Sequence, residues 1–462
     1  MQTIISLFHR VLDHEIFGYI MIGLLLRLVL MPYLTWPFDL GAYRSGLAYF
    51  LNGYDPYFFH ASIYPPLVYF LTLPLFSIAY SFRFSFNSPT ISDLIGGSSM
   101  GAVASSAVNP GFLVLWKLPL LCFDLLAGIV IYHFVKGMTV DPKAPKRLFL
   151  VWFFNPFTLA ISYVHGSYDL LVAFFILLGV FLLYKGSYFS AGLSLGLGTL
   201  AKTAPILVAL PLSIILLFRG SEGSLSVSAL KAHARDFLRF TGGVGASLLP
   251  FALLFVEYSY LMYEGISKEI SITGGLNQWF FAADPQKSYY VNQFIGTIQT
   301  AFFYYPLICV VVSLFFCKFL KFDQERVLFA ATFFTFLIYF FLPITMQPQY
   351  LVWVLPLLIV ISSLKRHFIW LLGLCSAAGL LFYLSIQSPL VFFYPLAMYT
   401  SLWRPEELVR YITVYSNIPG VFSRFLRQDL CTLFGGIGFV GLVTTTILLI
   451  QNLWVHKNDE AK

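Results

Sequence analysis

Long apolar stretches recur along almost the whole chain and are separated by shorter polar or charged segments. Many of them approach the roughly 20 residues that an α-helix needs to cross the hydrocarbon core of a bilayer. Stretches of this length favour helices over a β-barrel, whose membrane strands need only about 10 residues. We therefore predict an all-α, polytopic transmembrane helical bundle of about twelve spans. The spans are expected near 16–34, 111–135, 148–164, 169–184, 188–201, 204–218, 237–256, 300–317, 327–346, 350–364, 368–386 and 433–454.

The composition supports an integral membrane protein with a single membrane domain over 1–462. Of the 462 residues, 59% are hydrophobic and only 11% are charged, which is more apolar surface than a soluble fold can bury. The net charge of +7 does not indicate nucleic-acid binding, because the basic residues cluster in alternate loops. Under the positive-inside rule these loops and both termini are cytosolic. The five cysteines are scattered, which indicates packing residues rather than disulfides or a zinc site.

This topology places three long segments on the non-cytosolic side: 35–110, 257–299 and 387–432. Loops on a rigid scaffold tend to carry function, so the working face is predicted to be extracellular or lumenal. The apolar run near 64–80 could be a further span. We interpret it as an interfacial helix, because an odd number of spans would break the charge asymmetry of every later loop.

Asp39 is the candidate catalytic residue. It follows the first span, in an aromatic segment stiffened by Pro37. A carboxylate at the membrane–water boundary is partly desolvated, which makes it a better base once it is ionised. Tyr43 and Arg44 follow about one turn later and are candidate substrate-binding residues. The alternative interpretation of Asp39 is a solvated loop aspartate.

His165 and Asp169 flank a Gly-containing turn at the non-cytosolic end of two predicted spans, the same rim as Asp39. A histidine near a carboxylate can donate a hydrogen bond to a phosphate or to a sugar hydroxyl. The alternative is a helix–helix turn capped by Asp169.

Lys202 is an unusual charge, because it lies between two short apolar helices, 188–201 and 204–218. We interpret these as half-length helices that meet at membrane depth, which requires a polar cavity or protein around the break. An ammonium there needs an anion, and a lipid phosphate would satisfy it. The alternative is that Lys202 reaches up to the membrane interface.

Two further polar residues are candidates for substrate binding. Gln349 lies in a polar hairpin on the predicted rim, where an amide suits sugar hydroxyls, and a plain polar turn is the alternative. Arg404 could clamp an anionic phosphate, or it could be a surface arginine in a charged loop. Lys117 and Asp124 share a span two turns apart, so Asp124 is expected to pair with a neighbouring helix. No phosphate-binding loop or zinc-binding helix motif occurs, so soluble-nucleotide chemistry is not predicted.

Together these residues resemble the GT-C class of polyprenyl-phosphate-dependent glycosyltransferases. Within that class the resemblance is to the GPI mannosyltransferase I catalytic-subunit family and related archaeal and bacterial multipass mannosyltransferases. The matching stretches cover most of 30–215, touch 345–360, and occur in the family's order. They are Phe38-Asp39 to Tyr43, Tyr54-Asp55-Pro56-Tyr57, Tyr64-Pro65-Pro66-Leu67, Lys117-Leu118-Pro119, Asp124-Leu125-Leu126, Trp152, Asn155-Pro156, Gly166-Ser167-Tyr168-Asp169, Gly196 through Lys202 to Pro205, and Gln349-Tyr350 through Trp353.

The resemblance implies inverting transfer of one sugar, mannose, from a dolichyl- or polyprenyl-phosphate donor to a glycan, glycolipid or protein acceptor. Asp39 would be the general base. The family's Asp-x-Asp motif lacks its second carboxylate here, since Gly41 stands in its place, so no divalent-metal cofactor is expected. The implied setting is an endoplasmic reticulum membrane or the cell membrane of a prokaryote, archaeal in the first instance. A small membrane subunit is a possible partner.

Two other classes of protein compete with this interpretation. A secondary transporter or lipid flippase would use Asp39, Lys202 and Asp124 as pathway charges, but such proteins place their charges near mid-membrane. The long outer segments and rim-located polar residues argue against it. A non-catalytic scaffold subunit is the third interpretation, and it would not need Asp39.

Overall fold

The structure, a computed structural model, is helical wherever it has regular secondary structure. It describes residues 14–36, 40, 43, 47, 66–81, 110–202, 204–218, 227–254, 311, 313, 315, 316, 324–341, 348–365, 367–386, 396, 433, 434, 436–438 and 440–451. No strand occurs among these residues, which confirms the all-α prediction. Asp39, Arg44 and Arg404 lie outside the described residues, as do the segment 257–299 and all of 387–432 except residue 396.

The described helices follow one another along the chain with short connections where the chain is continuous. They are α1 (His14–Leu30), α2 (Pro66–Ser81), α3 (Pro110–Met138), α4 (Ala144–Phe153), α5 (Pro156–Leu159), a π-helix (Ala160–His165), α6 (Asp169–Tyr184), α7 (Tyr188–Ala201), α8 (Ala204–Leu217), α9 (Val227–Leu254), α10 (Gln324–Phe341), a 3₁₀-helix (Pro348–Trp353), α11 (Leu355–Ile361) and α12 (His367–Ile386). Residues 440–451 are also helical.

Several predicted spans coincide closely with these helices, for example 169–184 with α6 and 188–201 with α7. By length and composition, two helical stretches in the described part of the chain could cross a membrane: Pro110–Met138 with 29 residues and Ala144–His165 with 22. Other apolar helices are shorter, so the number of twelve spans stays a prediction. The helix predicted near 64–80 exists as α2, and its placement at the membrane interface also stays a prediction.

The predicted span 148–164 is one element in the sequence pattern but three in the structure. The first helix, α4, ends at Phe153, because Pro156 has no backbone N–H with which to continue it, and Pro156 begins α5. The Asn155 side chain caps the new helix by accepting hydrogen bonds from the backbone N–H groups of Phe157 and Thr158. Its amide Nδ2 also donates to the Ser376 hydroxyl at 2.9 Å, which ties the break to α12. The chain then continues as the π-helix that carries His165.

The centre of the bundle is α6, most of whose residues are buried. Next to it, α7 and α9 approach closely because both present glycine at their contact. A Cβ at Gly192 would collide with the Phe240 carbonyl, and a Cβ at Gly243 would collide with the Phe189 carbonyl. Small residues allow this backbone-to-backbone packing, which is typical of helices in membranes. The outer side of α1 is different, since it exposes large apolar side chains including Ile22 and Leu25, as a lipid-facing helix does.

Candidate functional site

One end of the bundle gathers polar side chains from five parts of the chain. The backbone N–H of Trp36, just after α1, donates to the His165 carbonyl at 2.9 Å. Asp169 at the start of α6 meets Lys202, which lies between α7 and α8, and Trp353 of the 3₁₀-helix. We call these five residues the polar rim. The polar rim contains the turn between the π-helix and α6. This turn is predicted to lie at the non-cytosolic face.

Asp169 organises the polar rim. One carboxylate oxygen accepts from the Lys202 ammonium at 2.9 Å and from the Trp353 indole N–H at 2.8 Å. The other oxygen accepts from the Ser167 hydroxyl at 2.6 Å. Asp169 is the first residue of α6 and not its N-cap, which is Tyr168. Among the described hydrogen bonds its carboxylate accepts from side chains and from no backbone N–H of α6, so the structure does not give it the capping role. With both oxygens engaged, Asp169 is suited to orienting Lys202 rather than to taking a proton.

Lys202 has a protein partner that was not predicted from the sequence. It was expected to need an outside anion, and instead it pairs with Asp169, because α7 returns alongside α6 and ends level with its start. The Lys202 side chain is 33% exposed, whereas that of Asp169 is 1% exposed. Within the part of the chain that the structure describes, no second acceptor takes a hydrogen bond from this ammonium. Lys202 therefore keeps donors for an anionic ligand.

Aromatic rings flank this cation. Its Nζ atom lies 4.3 Å from the centre of the Tyr350 ring and 5.5 Å from that of Trp353. The two rings stack on each other, with centroids 4.3 Å apart. A cation over an aromatic face is stabilised by the negative face of the π-system. The rings thus fix the direction in which the ammonium points.

Gln349 lies beside these rings at the start of the same 3₁₀-helix. Its side chain is 8% exposed, and its amide oxygen has no hydrogen-bond partner among the described residues. A buried acceptor without a donor costs about 1–3 kcal/mol. The assignment of Gln349 to substrate binding stays a prediction.

His165 is buried and held from two sides. Its ring Nδ1 is hydrogen-bonded to the Tyr383 hydroxyl of α12 at 2.7 Å. Its carbonyl accepts from the Trp36 N–H and from the Thr35 hydroxyl, the latter at 3.2 Å. The next residue, Gly166, has φ +86°, which an L side chain rarely adopts. The Gly166 carbonyl accepts from the Trp116 indole at 2.9 Å, so the turn is tied to α3.

Tyr43 lies in the packed interior next to this turn. Its ring stacks on Tyr69, with centroids 5.0 Å apart, and contacts Trp116 at 3.8 Å. Its hydroxyl is hydrogen-bonded to that of Thr72 on α2. These contacts give Tyr43 a packing role in the structure, and its assignment to substrate binding stays a prediction.

A second charged cluster lies deeper in the bundle. Arg27 of α1 forms an ion pair with Asp124 of α3 at 2.7 Å, with both side chains 0% exposed. This confirms that Asp124 pairs with a neighbouring helix. Arg27 also donates to the Phe153 carbonyl at 2.6 Å, and the Tyr163 hydroxyl donates to Asp124 at 2.9 Å. We call Arg27, Asp124 and Tyr163 the inner cluster.

Some of these residues were missed in the sequence. Arg27 interrupts the first apolar stretch, and this was a usable signal, since a charge inside a span needs a partner. Tyr350 and Trp353 were visible only as part of the family resemblance, because nothing local marks them as neighbours of Lys202. Among the described residues, no group of three His, Cys, Asp or Glu side chains could hold a metal ion. The expectation of no metal cofactor stays a prediction.

The fold and the site define a helical protein with a partly exposed cation, a buried amide oxygen without a partner among the described residues, and aromatic rings beside them. GPI mannosyltransferase 1 of Kluyveromyces lactis is 24% identical over 227 residues, which cover 49% of this chain and 48% of that protein. GPI mannosyltransferase 1 of Saccharomyces cerevisiae is 28% identical over 108 residues, which cover 23% of this chain and 26% of that protein. No family model matches the chain.

These similarities confirm the predicted resemblance to GPI mannosyltransferase I. The chain spans about half the length, or less, of the curated relatives it matches.

Proposed function

We propose that this protein is a multipass membrane mannosyltransferase. It transfers one mannosyl residue, with inversion, from a dolichyl- or polyprenyl-phosphate donor to a hydroxyl of a glycan, glycolipid or protein acceptor at the non-cytosolic face. Two curated relatives bear the name of a mannosyltransferase. The observation that carries the proposal is the Lys202 ammonium, which is oriented by Asp169 and left one-third exposed at the rim.

Donor binding is assigned first to Lys202. A lipid-linked phosphate is anionic and sits at the membrane interface, where a partly exposed ammonium gains from a charge-assisted hydrogen bond. Asp169 neutralises part of the ammonium's charge without using all of its donors. Arg404 and Arg44 are proposed as further phosphate contacts, on their charge alone.

Sugar and acceptor contacts are assigned to His165, Gln349 and Tyr43. The Gln349 oxygen, which has no partner among the described residues, can accept from a hydroxyl of the donor sugar. His165 is assigned to the same sugar because its ring is held in place by Tyr383 next to the polar rim. Tyr43 is retained as a candidate that would act through the aromatic packing next to the rim. Asp169 is retained as the residue that orients Lys202.

The chemical step needs a base. The acceptor hydroxyl attacks the anomeric carbon on the face opposite the phosphate, a new C–O bond forms, and the polyprenyl phosphate leaves with the electron pair of the broken bond. The acceptor proton must be removed as the new bond forms. Asp39 is proposed to take it, because it follows Trp36 of the polar rim by three residues. The bilayer holds the donor, and a small membrane subunit is a proposed partner. The protein would reside in the endoplasmic reticulum membrane or in a prokaryotic cell membrane.

The test is a transfer assay with the purified full-length protein in liposomes. Radiolabelled dolichyl-phosphate mannose and dolichyl-phosphate glucose are each offered with a glycosylated phosphatidylinositol, a free glycan and a hydroxyl-bearing peptide. We expect label to reach one acceptor from the mannose donor. The proposal would be contradicted if the mannose donor labelled none of the three acceptors.

The base is tested by Asp39→Asn in the same assay. This change keeps the side-chain shape and removes the proton acceptor, so transfer should fall by at least about 10²-fold while the protein still inserts and folds. Near-normal transfer would reject Asp39 as the base. Glu257 would then be tested next.

A further inference from the structure

Lys117 is a buried ammonium whose hydrogen-bonding capacity is filled by backbone carbonyls. It lies near the beginning of α3 and is fully buried. Its Nζ donates to the carbonyls of Met31 at 3.2 Å and Tyr163 at 2.8 Å, and it also donates to that of Leu34. An ammonium has three donors, so all three are used. No carboxylate in the described part of the chain pairs with it.

The three carbonyls come from two chain segments that meet at the polar rim. Met31 and Leu34 lie just beyond the C-terminal end of α1, and Tyr163 lies in the last turn of the π-helix. Carbonyls at helix C-termini lack helical donors and carry the negative end of the helix dipole, so a cation is favoured there. One side chain therefore joins the end of α1 to the end of the π-helix.

The two segments that supply these carbonyls lead directly to Trp36 and His165 of the polar rim. Thr35 and Trp36 come directly after Leu34, and both donate to the His165 carbonyl. On the other side, Lys117 Cε would lie 3.0 Å from a Cβ at Gly166, so the lysine stem packs against the turn before Asp169. Without this ammonium, Trp36 would no longer be held in place against the His165 carbonyl.

The attachment of α1 to the bundle does not depend on Lys117 alone. Arg27, one turn before Met31, is bound to Asp124 and to the Phe153 carbonyl. Loss of the Lys117 charge should therefore free the end of α1 while leaving the helix anchored. This separates a local displacement from general unfolding.

We infer that Lys117 is a positioning residue that sets the placement of Trp36 against His165 and thereby aligns the polar rim for transfer. It acts through backbone carbonyls and does not touch donor or acceptor. The part of the inference that concerns catalysis rests on the proposed function. The geometric part does not.

The experiment compares Lys117→Met, Lys117→Arg and a control, Lys185→Met, in the full-length protein. Lys185 is exposed and lies after α6, at the far end of that helix from Asp169. Hydrogen–deuterium exchange is followed by mass spectrometry on a peptide covering residues 31–36, which contains the Trp36 amide. Transfer is measured in liposomes with radiolabelled dolichyl-phosphate mannose, and kcat and the donor KM are determined separately.

We expect Lys117→Met to speed exchange at the Trp36 amide by about tenfold or more, since the hydrogen bond that protects this amide loses its anchor. We expect kcat to fall by about 10²-fold, the effect of a displacement of about 1 Å, with a nearly unchanged donor KM. Lys117→Arg should restore most of both, because a guanidinium can also donate to several carbonyls. Lys185→Met should match the wild type.

Unchanged exchange at Trp36 in Lys117→Met would overturn the inference. It would equally be overturned if exchange rose evenly along α1 and α3, because that pattern reports loss of the fold rather than of position. If the wild-type protein transfers no mannose at all, the proposed function fails, while the exchange at Trp36 still decides the role of Lys117.

Discussion

The inner cluster and the polar rim each contain an ion pair between residues far apart in sequence, yet the two are built differently. Arg27 and Asp124 lie 2.7 Å apart and are both 0% exposed. Lys202 and Asp169 lie 2.9 Å apart, but the cation is 33% exposed. The carboxylate is buried in both pairs. The two pairs therefore differ in whether the cation is accessible to a ligand.

The inner cation is closed to a ligand, because its side chain is fully buried. Besides Asp124, Arg27 donates to the carbonyls of Gly23 and Phe153, and its guanidinium lies 3.7 Å from the centre of the Phe153 ring. A cation surrounded in this way holds helices together. The rim cation has one hydrogen-bond partner in the described part of the chain and an open side. Partial exposure of an oriented cation, rather than a buried ion pair as such, distinguishes the candidate site.

The largest effect is expected from breaking the inner pair. Arg27→Met leaves Asp124 as an uncompensated buried charge, and removal of one partner of such a pair costs about 3–5 kcal/mol. We expect a strongly lowered Tm of the detergent-solubilised protein and poor recovery after purification. A Tm within a few degrees of the wild type would show that Arg27 is not the anchor of α1.

The double variant Arg27→Met with Asp124→Leu sharpens this comparison. Replacing a whole buried ion pair by apolar residues is often neutral or stabilising, so the double variant should recover much of the Tm lost in Arg27→Met. Donor use should return along with stability, because the inner cluster is not assigned to the site. A folded double variant without transfer would move the inner cluster into the functional machinery.

The second effect concerns the rim cation. Lys202→Met should weaken donor use by about 1.5–3 kcal/mol, the scale of a hydrogen bond to a charged group, and this corresponds to roughly 10- to 150-fold in donor KM. The Tm should fall less than in Arg27→Met, because Asp169 keeps its bonds from Trp353 and Ser167. The measurement is the donor KM in liposomes beside the Tm. An unchanged donor KM would leave Lys202 with a structural role only.

Much of the helical architecture could be predicted because its signals are local. The bounds of α6 and α7 follow from apolar runs ended by Lys185-Gly186 and Lys202. The break inside the predicted span 148–164 had a local signal too, in Asn155-Pro156, but proline is tolerated within membrane helices, so the break did not follow from it. The π-helix had no signal in the apolar pattern, which is continuous through Ala160–His165.

Three of the five polar-rim residues, His165, Asp169 and Lys202, were candidates from the sequence, but their arrangement was not predictable. The sequence shows that Lys202 needs a counter-charge, but the choice of Asp169 depends on α7 lying beside α6. Trp353 reaches Asp169 from 184 residues away along the chain. Such pairings are set by tertiary packing, and no local pattern encodes them. The same holds for Arg27, whose partner lies 97 residues further on.

The third prediction uses the unpaired amide of Gln349. Gln349→Leu removes a buried acceptor that has no donor, so the free protein should be stabilised by about 1 kcal/mol or more, seen as a small rise in Tm. Mannosyl transfer should fall at the same time, because the sugar hydroxyl loses its acceptor. Gln349→Glu is the companion variant, since it keeps the acceptor. A lower Tm in Gln349→Leu together with full transfer would contradict a ligand-binding role.

The smallest effect comes from a matched pair of tryptophans, one in each region. Trp353→Phe removes the indole N–H that donates to the Asp169 carboxylate, and Trp152→Phe removes the one that donates to the Asp124 carbonyl at 3.1 Å. Each substitution keeps an aromatic ring and deletes one hydrogen bond, worth about 1 kcal/mol. Since the bond to Asp169 helps to orient Lys202, Trp353→Phe should raise the donor KM by about fivefold, beside a fall in Tm of a few degrees. Trp152→Phe should lower the Tm by a few degrees and leave the donor KM unchanged. If Trp152→Phe raised the donor KM as much as Trp353→Phe does, the inner cluster and the polar rim would not differ in function, and donor binding could not be assigned to Lys202 rather than to the bundle as a whole.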